Sequence, residues 1–316
     1  MKTKQWQLLV LFVVLALLAS GCGVTIITVP VTKPAEINLK GYEKIAVAEI
    51  SGSGGQDMQE ELTTALFGSG RFEVLDRQYL GNILSEQGLT WSGISDPEES
   101  AKLGKVLGAA ALVCGRVITH NYKEEPIRYS THTRKDGTTY TWYYRDGTAK
   151  MAVNLKVIDV QSGKILATKR FKSEYRGSTS EQDAEPDEID TTALFASCRN
   201  DIISQFMRTI APYTIMVNMS FTKDKEIPDL EQGINMAKVG NWDSAIEYFQ
   251  GAVDNFPSSW KAHFDLGLAY ECTGEYEKAI EELNTAYSLN PKSSIANEIS
   301  QCKMRIAEQK KLEEQL

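Results

Sequence analysis

Residues 233–257, GINMAKVGNWDSAIEYFQGAVDNFP, return 34 positions later as residues 267–291, GLAYECTGEYEKAIEELNTAYSLNP. Gly233 answers Gly267, Ala245 answers Ala279, and Ile246 answers Ile280. Phe249 answers Leu283, Ala252 answers Ala286, and Pro257 answers Pro291. Each unit reads as two helices. Gly240 and Gly274 end the first helix, where a residue free to take positive φ is useful. Pro257 and Pro291 stop the second. Small residues at Gly233/Gly267 and Ala245/Ala279 let the paired helices approach closely.

This pattern, over about 228–293, resembles the tetratricopeptide repeat, a helix–turn–helix unit of that period. Two units are fewer than the roughly three usually needed to bury a continuous core. The helix-prone stretch 294–316 is therefore expected to cap the stack, giving an all-α domain over 228–316. The resemblance implies a non-catalytic module that binds peptide segments of a protein partner. By repeat position, Asn235, Lys238, His263 and Tyr270 on first helices are the residues expected to touch that partner. The competing reading is a spacer or a packing element of an oligomer.

The other end of the chain carries a different signal. Lys2 and Lys4 precede an unbroken apolar run from Leu8 to Ala19. That run is shorter than the roughly 20 apolar residues a spanning helix needs, and it has the layout of an export signal. Leu18-Ala19-Ser20-Gly21-Cys22 resembles a bacterial lipobox, with Ala19 where Leu is commoner. The resemblance implies acylation of Cys22 after removal of residues 1–21. Gly23, rather than Asp, implies the outer membrane, with the protein on its periplasmic face. Residues 22–40, with Pro30 and Pro34, read as a lipidated tether that extends roughly 60 Å at most.

Composition narrows the function. The chain has 34 Lys+Arg against 42 Asp+Glu, a net charge of −8. Nucleic-acid binding rests on Lys/Arg against phosphate, and no basic stretch supplies it. Cys114, Cys198, Cys272 and Cys302 show no CxxC spacing, and His120, His132 and His263 are the only histidines. No metal site and no cofactor are expected. The sequence leaves the pairing of the four thiols open. Glycines in the run 51–55 follow a strand, as in phosphate loops, but lack the GKS/GKT ending and the GxGxxG spacing. A flexible connection is the better reading there. The acidic stretch 181–190 lacks EF-hand spacing and reads as a solvated loop.

The middle of the chain alternates strands and helices. Lys44–Ile50 is a β-branched strand, and Asp57–Phe67 has helical apolar spacing. Residues 71–75 read as a second strand. Asp76 and Asp96 are candidate caps for helices reaching Leu84 and Leu107. Strands follow at 109–118, 150–160 and 164–171, the last two joined by a turn at 161–163. A helix runs from Asp190 to Ile210. The expected class is an α/β (α+β) domain over 41–215.

The residues 44–50, 69–77, 83–87, 103–109, 112–115 and 153–166 resemble the CsgG family of curli production assembly/transport proteins. Members form oligomeric secretion pores in the outer membrane, each subunit giving two β-hairpins to a shared barrel. Two departures count against a pore here. The loop after Ile50 has no aromatic residue to narrow a channel. Residues 172–189 read as acidic and strand-poor, unlike the roughly 10-residue alternation of a lipid-facing strand. Tyr140, Trp142 and Tyr144 alternate opposite a partner stretch at 126–134 and are candidate partner contacts.

These readings lead to a non-enzymatic, outer-membrane-anchored periplasmic lipoprotein. It binds or assembles envelope components and has the potential to self-associate. The alternative is a subunit of a CsgG-like curli-type secretion channel.

Overall fold

The structure, a computed structural model, describes residues 23–316 except 76, 89, 91–101, 103 and 107–109. Along the chain run β1 (Val24–Lys33), β2 (Lys44–Ser51), α1 (Gly55–Gly68), β3 (Glu73–Leu75) and α2 (Arg77–Glu86). Then come β4 (Ala110–Glu124), β5 (Arg128–Thr133), β6 (Thr139–Asp159), β7 (Ile165–Gln182), α3 (Thr191–Ile210) and β8 (Tyr213–Thr222). Five helices finish it: α4 (Pro228–Lys238), α5 (Trp242–Asn255), α6 (Trp260–Thr273), α7 (Tyr276–Leu289) and α8 (Ser293–Gln315). The chain divides into two compact units, 35–211 with 315–316, and 212–314 with the residues before 35. Cys22, the Asp76 cap and most of the helix expected after Asp96 lie outside the described residues.

The α/β unit is built on one sheet in the order β3-β2-β4-β6, with β7 on the far edge of β6. β2 pairs in parallel with β3 and β4, and the later strands pair antiparallel. β2 sits inside the sheet, and Ile45, Ala46, Val47, Ala48 and Ile50 are buried on both its faces. That is why it reads as a continuous apolar run rather than an alternation. Met58, Leu62 and Leu66 of α1 and Cys198, Ile202, Ile203 and Phe206 of α3 cover one face. Ile83 and Leu84 of α2 pack on the other, over Ala46, Ala48, Leu112 and Ile158. Asp190 caps α3 by accepting from the Ala193 N–H at 3.0 Å, a bond that satisfies an orphan amide.

Two strands are longer than the sequence indicates. β7 continues to Gln182, paired with β6 as far as Trp142, so the stretch expected to be strand-poor is largely strand. Its acids sit on exposed edges, and pairing with the aromatic end of β6 supplies what local propensity lacks. Beyond Glu124, β5 takes over the edge of β6 that β4 leaves, pairing Arg128 with Tyr144 and Thr133 with Thr139. β5, β6 and β7 thus form a three-stranded arm.

The connection over 51–55 is packed rather than flexible. Gly52 and Gly54 have φ of 97° and 73°. A Cβ on Gly52 would lie 2.6 Å from the Val117 carbonyl oxygen, and one on Gly54 2.8 Å from the His120 ring. That ring stacks on Phe195 at 3.8 Å, and its burial lowers the His120 pKa.

The repeat unit corrects the tether. Val24–Lys33 pairs antiparallel with Tyr213–Thr222 along its whole length, Val24 opposite Thr222 and Lys33 opposite Tyr213. The segment alternates apolar and polar, and it buries Ile27 and Val29 beside Met219 and Phe221 in the helical core. Pro30 is tolerated because a two-stranded ribbon has open edges. The expected domain end at 215 therefore falls inside β8. The four repeat helices pack as read. Gly240 and Gly274 take φ of 77° and 82°. A Cβ on Gly233 would lie 2.6 Å from Phe249, and one on Gly267 2.8 Å from Leu283.

Candidate binding surfaces

The first helices of the repeats, α4 and α6, and the capping helix α8 share a core with the ribbon. Leu230, Ile234 and Ala237 of α4 join Phe264, Leu266 and Leu268 of α6, Ile295 and Ile299 of α8, and Ile27, Val29, Met219 and Phe221 of the ribbon. α6 buries every residue from Ala262 to Ala269. A helix buried on all sides is covered on all sides; here α5 and α7 lie against one side and β8 against another. Phe221 stacks on Phe249 with ring centroids 5.5 Å apart. The first-helix surface that would meet a peptide is occupied by the chain's own strands.

Polar groups lock that arrangement. Asp265 has no exposed surface. It accepts from the Thr222 N–H at 2.9 and 3.1 Å and from the Thr222 hydroxyl at 3.1 Å. Burial pushes its pKa well up, against the opposing pull of those hydrogen bonds and of Lys261. Lys261 Nζ reaches Asp224 Oδ2 at 2.9 Å. Farther along, Arg305 Nε donates to Glu271 Oε1 at 3.0 Å, with both side chains nearly inaccessible. A cavity of about 290 Å³ lies between this pair and Pro30–Thr32 of β1. Burial raises the thiol pKa values of Cys272 and Cys302 and the carboxyl pKa of Glu298. Cys114, Cys198, Cys272 and Cys302 are all free thiols.

The structure does not bring the four repeat-position candidates together. Asn235 and Lys238 are exposed on α4, away from the Leu230–Ile234–Ala237 stripe. His263 is buried, with Nδ1 at 2.6 Å from Glu282 Oε2 and Nε2 at 3.0 Å from the Pro257 carbonyl oxygen. It joins α6 to α7 instead of facing outward. Tyr270 is half-buried under Lys278, whose Nζ lies 5.2 Å from the ring centre.

The arm does gather its candidates. Tyr140, Trp142 and Tyr144 lie two residues apart on β6 and so share a face. Their β5 partners are His132, Ser130 and Arg128. His132 stacks on Tyr140 at 5.5 Å, the Arg134 guanidinium lies 5.0 Å over the Tyr140 ring, and Arg128 lies 5.6 Å over Tyr144. Tyr143 and Tyr129 occupy the opposite face, where Tyr129 is 73% exposed. On that face Arg145 bonds Glu124 at 2.6 Å, Glu185 at 2.7 Å and the Pro186 carbonyl oxygen at 3.3 Å. The acidic stretch after β7 is thereby tied down. This clamp escaped sequence reading because its partners are about 40 residues apart.

Among the described residues, no group of three or more His, Cys, Asp and Glu side chains is placed to hold a metal ion. Nor, among them, is any helix long and apolar enough to cross a membrane.

Residues 35–184 match the family described as the curli production assembly/transport component CsgG. Residues 230–294 match the tetratricopeptide repeat. The chain thus joins a CsgG-type α/β region to a helical repeat, as its sequence resemblances implied. No curated protein matches it. Among solved structures it is similar to lipoprotein GNA1162 from Neisseria meningitidis, at 15% identity and a TM-score of 0.29, over 52% of this chain and 96% of that one. It is similar also to a PelC dodecamer from Paraburkholderia phytofirmans, at 15% identity and a TM-score of 0.27, over 58% and 98%. A third is the LpoB C-terminal domain from Salmonella enterica, at 13% identity and a TM-score of 0.27, over 42% and 82%. Likeness at that level carries no functional argument.

Proposed function

We propose that this chain is a non-enzymatic binding and assembly factor of the bacterial envelope, held by acyl chains on Cys22 to the periplasmic face of the outer membrane. The CsgG-type and repeat matches support an envelope role, and the lipobox-like stretch before Gly23 supports the anchor. The observation that carries the binding role is the arm. It presents Tyr140, Trp142 and Tyr144 beside Arg128 and Arg134, with Tyr129 largely exposed on its other face. Aromatic and arginine side chains are the residues that anchor protein interfaces. The ribbon already covers the first-helix surface, so a protein partner or a second copy meets this chain through the arm.

The channel reading fares less well on the chemistry of the arm. Arg128, Asp146, Arg176, Arg145 and Glu181 are spread over its two faces, and charges facing lipid are costly. The arm is tested by placing a photo-crosslinking residue at Tyr129 in the lipidated full chain in cells, with the same residue at exposed Phe67 as control. A discrete adduct at Tyr129 is expected. Equal, diffuse labelling at both positions overturns the reading. An adduct between two copies identifies self-association.

A further inference from the structure

We propose that the Gly23–Ile26 end of the β1–β8 ribbon is a membrane-contact surface, with Val24 and Ile26 seated at the headgroup boundary of the bilayer that holds the anchor. The inference rests on the lipid-anchored reading above. Its basis is the absence of slack between the anchor position and the fold. Gly23 already accepts a hydrogen bond from the Lys223 N–H at 2.8 Å, and Val24 already pairs with Thr222. One peptide unit separates Gly23 from Cys22, and consecutive Cα atoms are about 3.8 Å apart. Acyl chains on Cys22 start at the glyceride level, so the ribbon end has no room to stand off from the surface.

The side chains at that end suit such a position. Val24 and Ile26 lie on the ribbon face opposite Ile27 and Val29, and they are 61% and 63% exposed. In water they are two uncovered large apolar groups on one strand. At an interface, apolar side chains of this kind are buried a few ångströms deep. Farther along the same face stand Thr28 and Thr32, which gain nothing from lipid. The apolar character is thus concentrated where covalent geometry puts the bilayer.

The test uses full-length lipidated protein carrying Ile26→Trp or Thr32→Trp, reconstituted into phosphatidylethanolamine/phosphatidylglycerol vesicles with brominated acyl chains. Residues 26 and 32 are separated by about 20 Å along the strand. The native tryptophans set the baseline from the unsubstituted protein. Loss of the added emission at position 26 but not at 32 is expected. Retained emission at 26, or equal loss at both, overturns the contact surface. Intact mass of the same sample reads acylation separately. A chain without acyl mass refutes the anchor, whereas an acylated chain with an unquenched residue 26 refutes only the contact.

Discussion

Thr222 donates both its backbone N–H and its hydroxyl to the fully buried carboxylate of Asp265, 43 residues later in the chain. This one side chain fastens the last residue of β8 to the middle of the repeat stack. Asp265→Ala leaves a buried N–H without a partner, which costs about 1–3 kcal/mol. A drop of that size in the denaturant unfolding free energy of the repeat unit is expected, with Asp265→Asn losing less. An unchanged midpoint for the alanine variant contradicts the lock.

The same carboxyl gives a pH signature. Burial raises its folded pKa, whereas the unfolded group titrates near about 3.9. The folded state then holds the proton more tightly. The contribution is full below the unfolded value and is lost as pH rises through the folded one. Asn at 265 does not titrate. The stability of the natural protein minus that of Asp265→Asn is expected to fall with rising pH above about 4. A flat difference curve refutes the assignment.

Gly233 and Gly251 predict opposite outcomes for the same substitution. A Cβ at 233 would meet Phe249 at 2.6 Å, while at 251 its nearest neighbour is Asp229 Oδ2 at 3.6 Å. Gly233→Ala overpacks the helix pair and costs about 1–3 kcal/mol. Gly251→Ala removes a glycine from the interior of α5 and gains about 0.5–1 kcal/mol. Thermal unfolding of both variants separates the signs.

Hydrogen exchange distinguishes a strand from a tether over residues 24–33. Amides of Ile27 and Val29 are expected to exchange together with the core helices, far more slowly than an unstructured chain. Exchange at the unprotected rate throughout 24–33 contradicts the ribbon.

Arg145 holds the acidic stretch after β7 through Glu185 and the Pro186 carbonyl. Arg145→Ala is expected to open that stretch to limited proteolysis between residues 183 and 190 while the core fragment stays resistant. Equal cleavage rates in both proteins count against the clamp.

The helical repeat was legible because its contacts recur within the chain at a fixed spacing: Gly233 with Phe249 is echoed by Gly267 with Leu283. The α/β core was legible where local pattern and burial agree, as in β2 and α3. The ribbon was not, although Ile27 and Val29 alternate with polar residues. Their partners lie about 190 residues away, and nothing local separates an alternating strand from a tether containing Pro30. The end of β7 was missed because Glu181 and the serines and threonines before it have weak strand preference until β6 lies alongside. Among candidate contacts, Tyr140, Trp142 and Tyr144 share a face because strand alternation dictates it. His263 was misplaced because repeat position alone does not show which side of a first helix faces its own second helix.

The ribbon also has a mechanical meaning. β1 leaves the anchor position at its N-terminal end and hands the chain to the α/β unit at its C-terminal end. Tension between those two points pulls β1 along its own axis past β8. Ten paired positions then resist at once, as in a lap joint, instead of parting one by one as in a zip. Under load from the membrane, the repeat unit acts as the fastening on which the rest of the chain hangs.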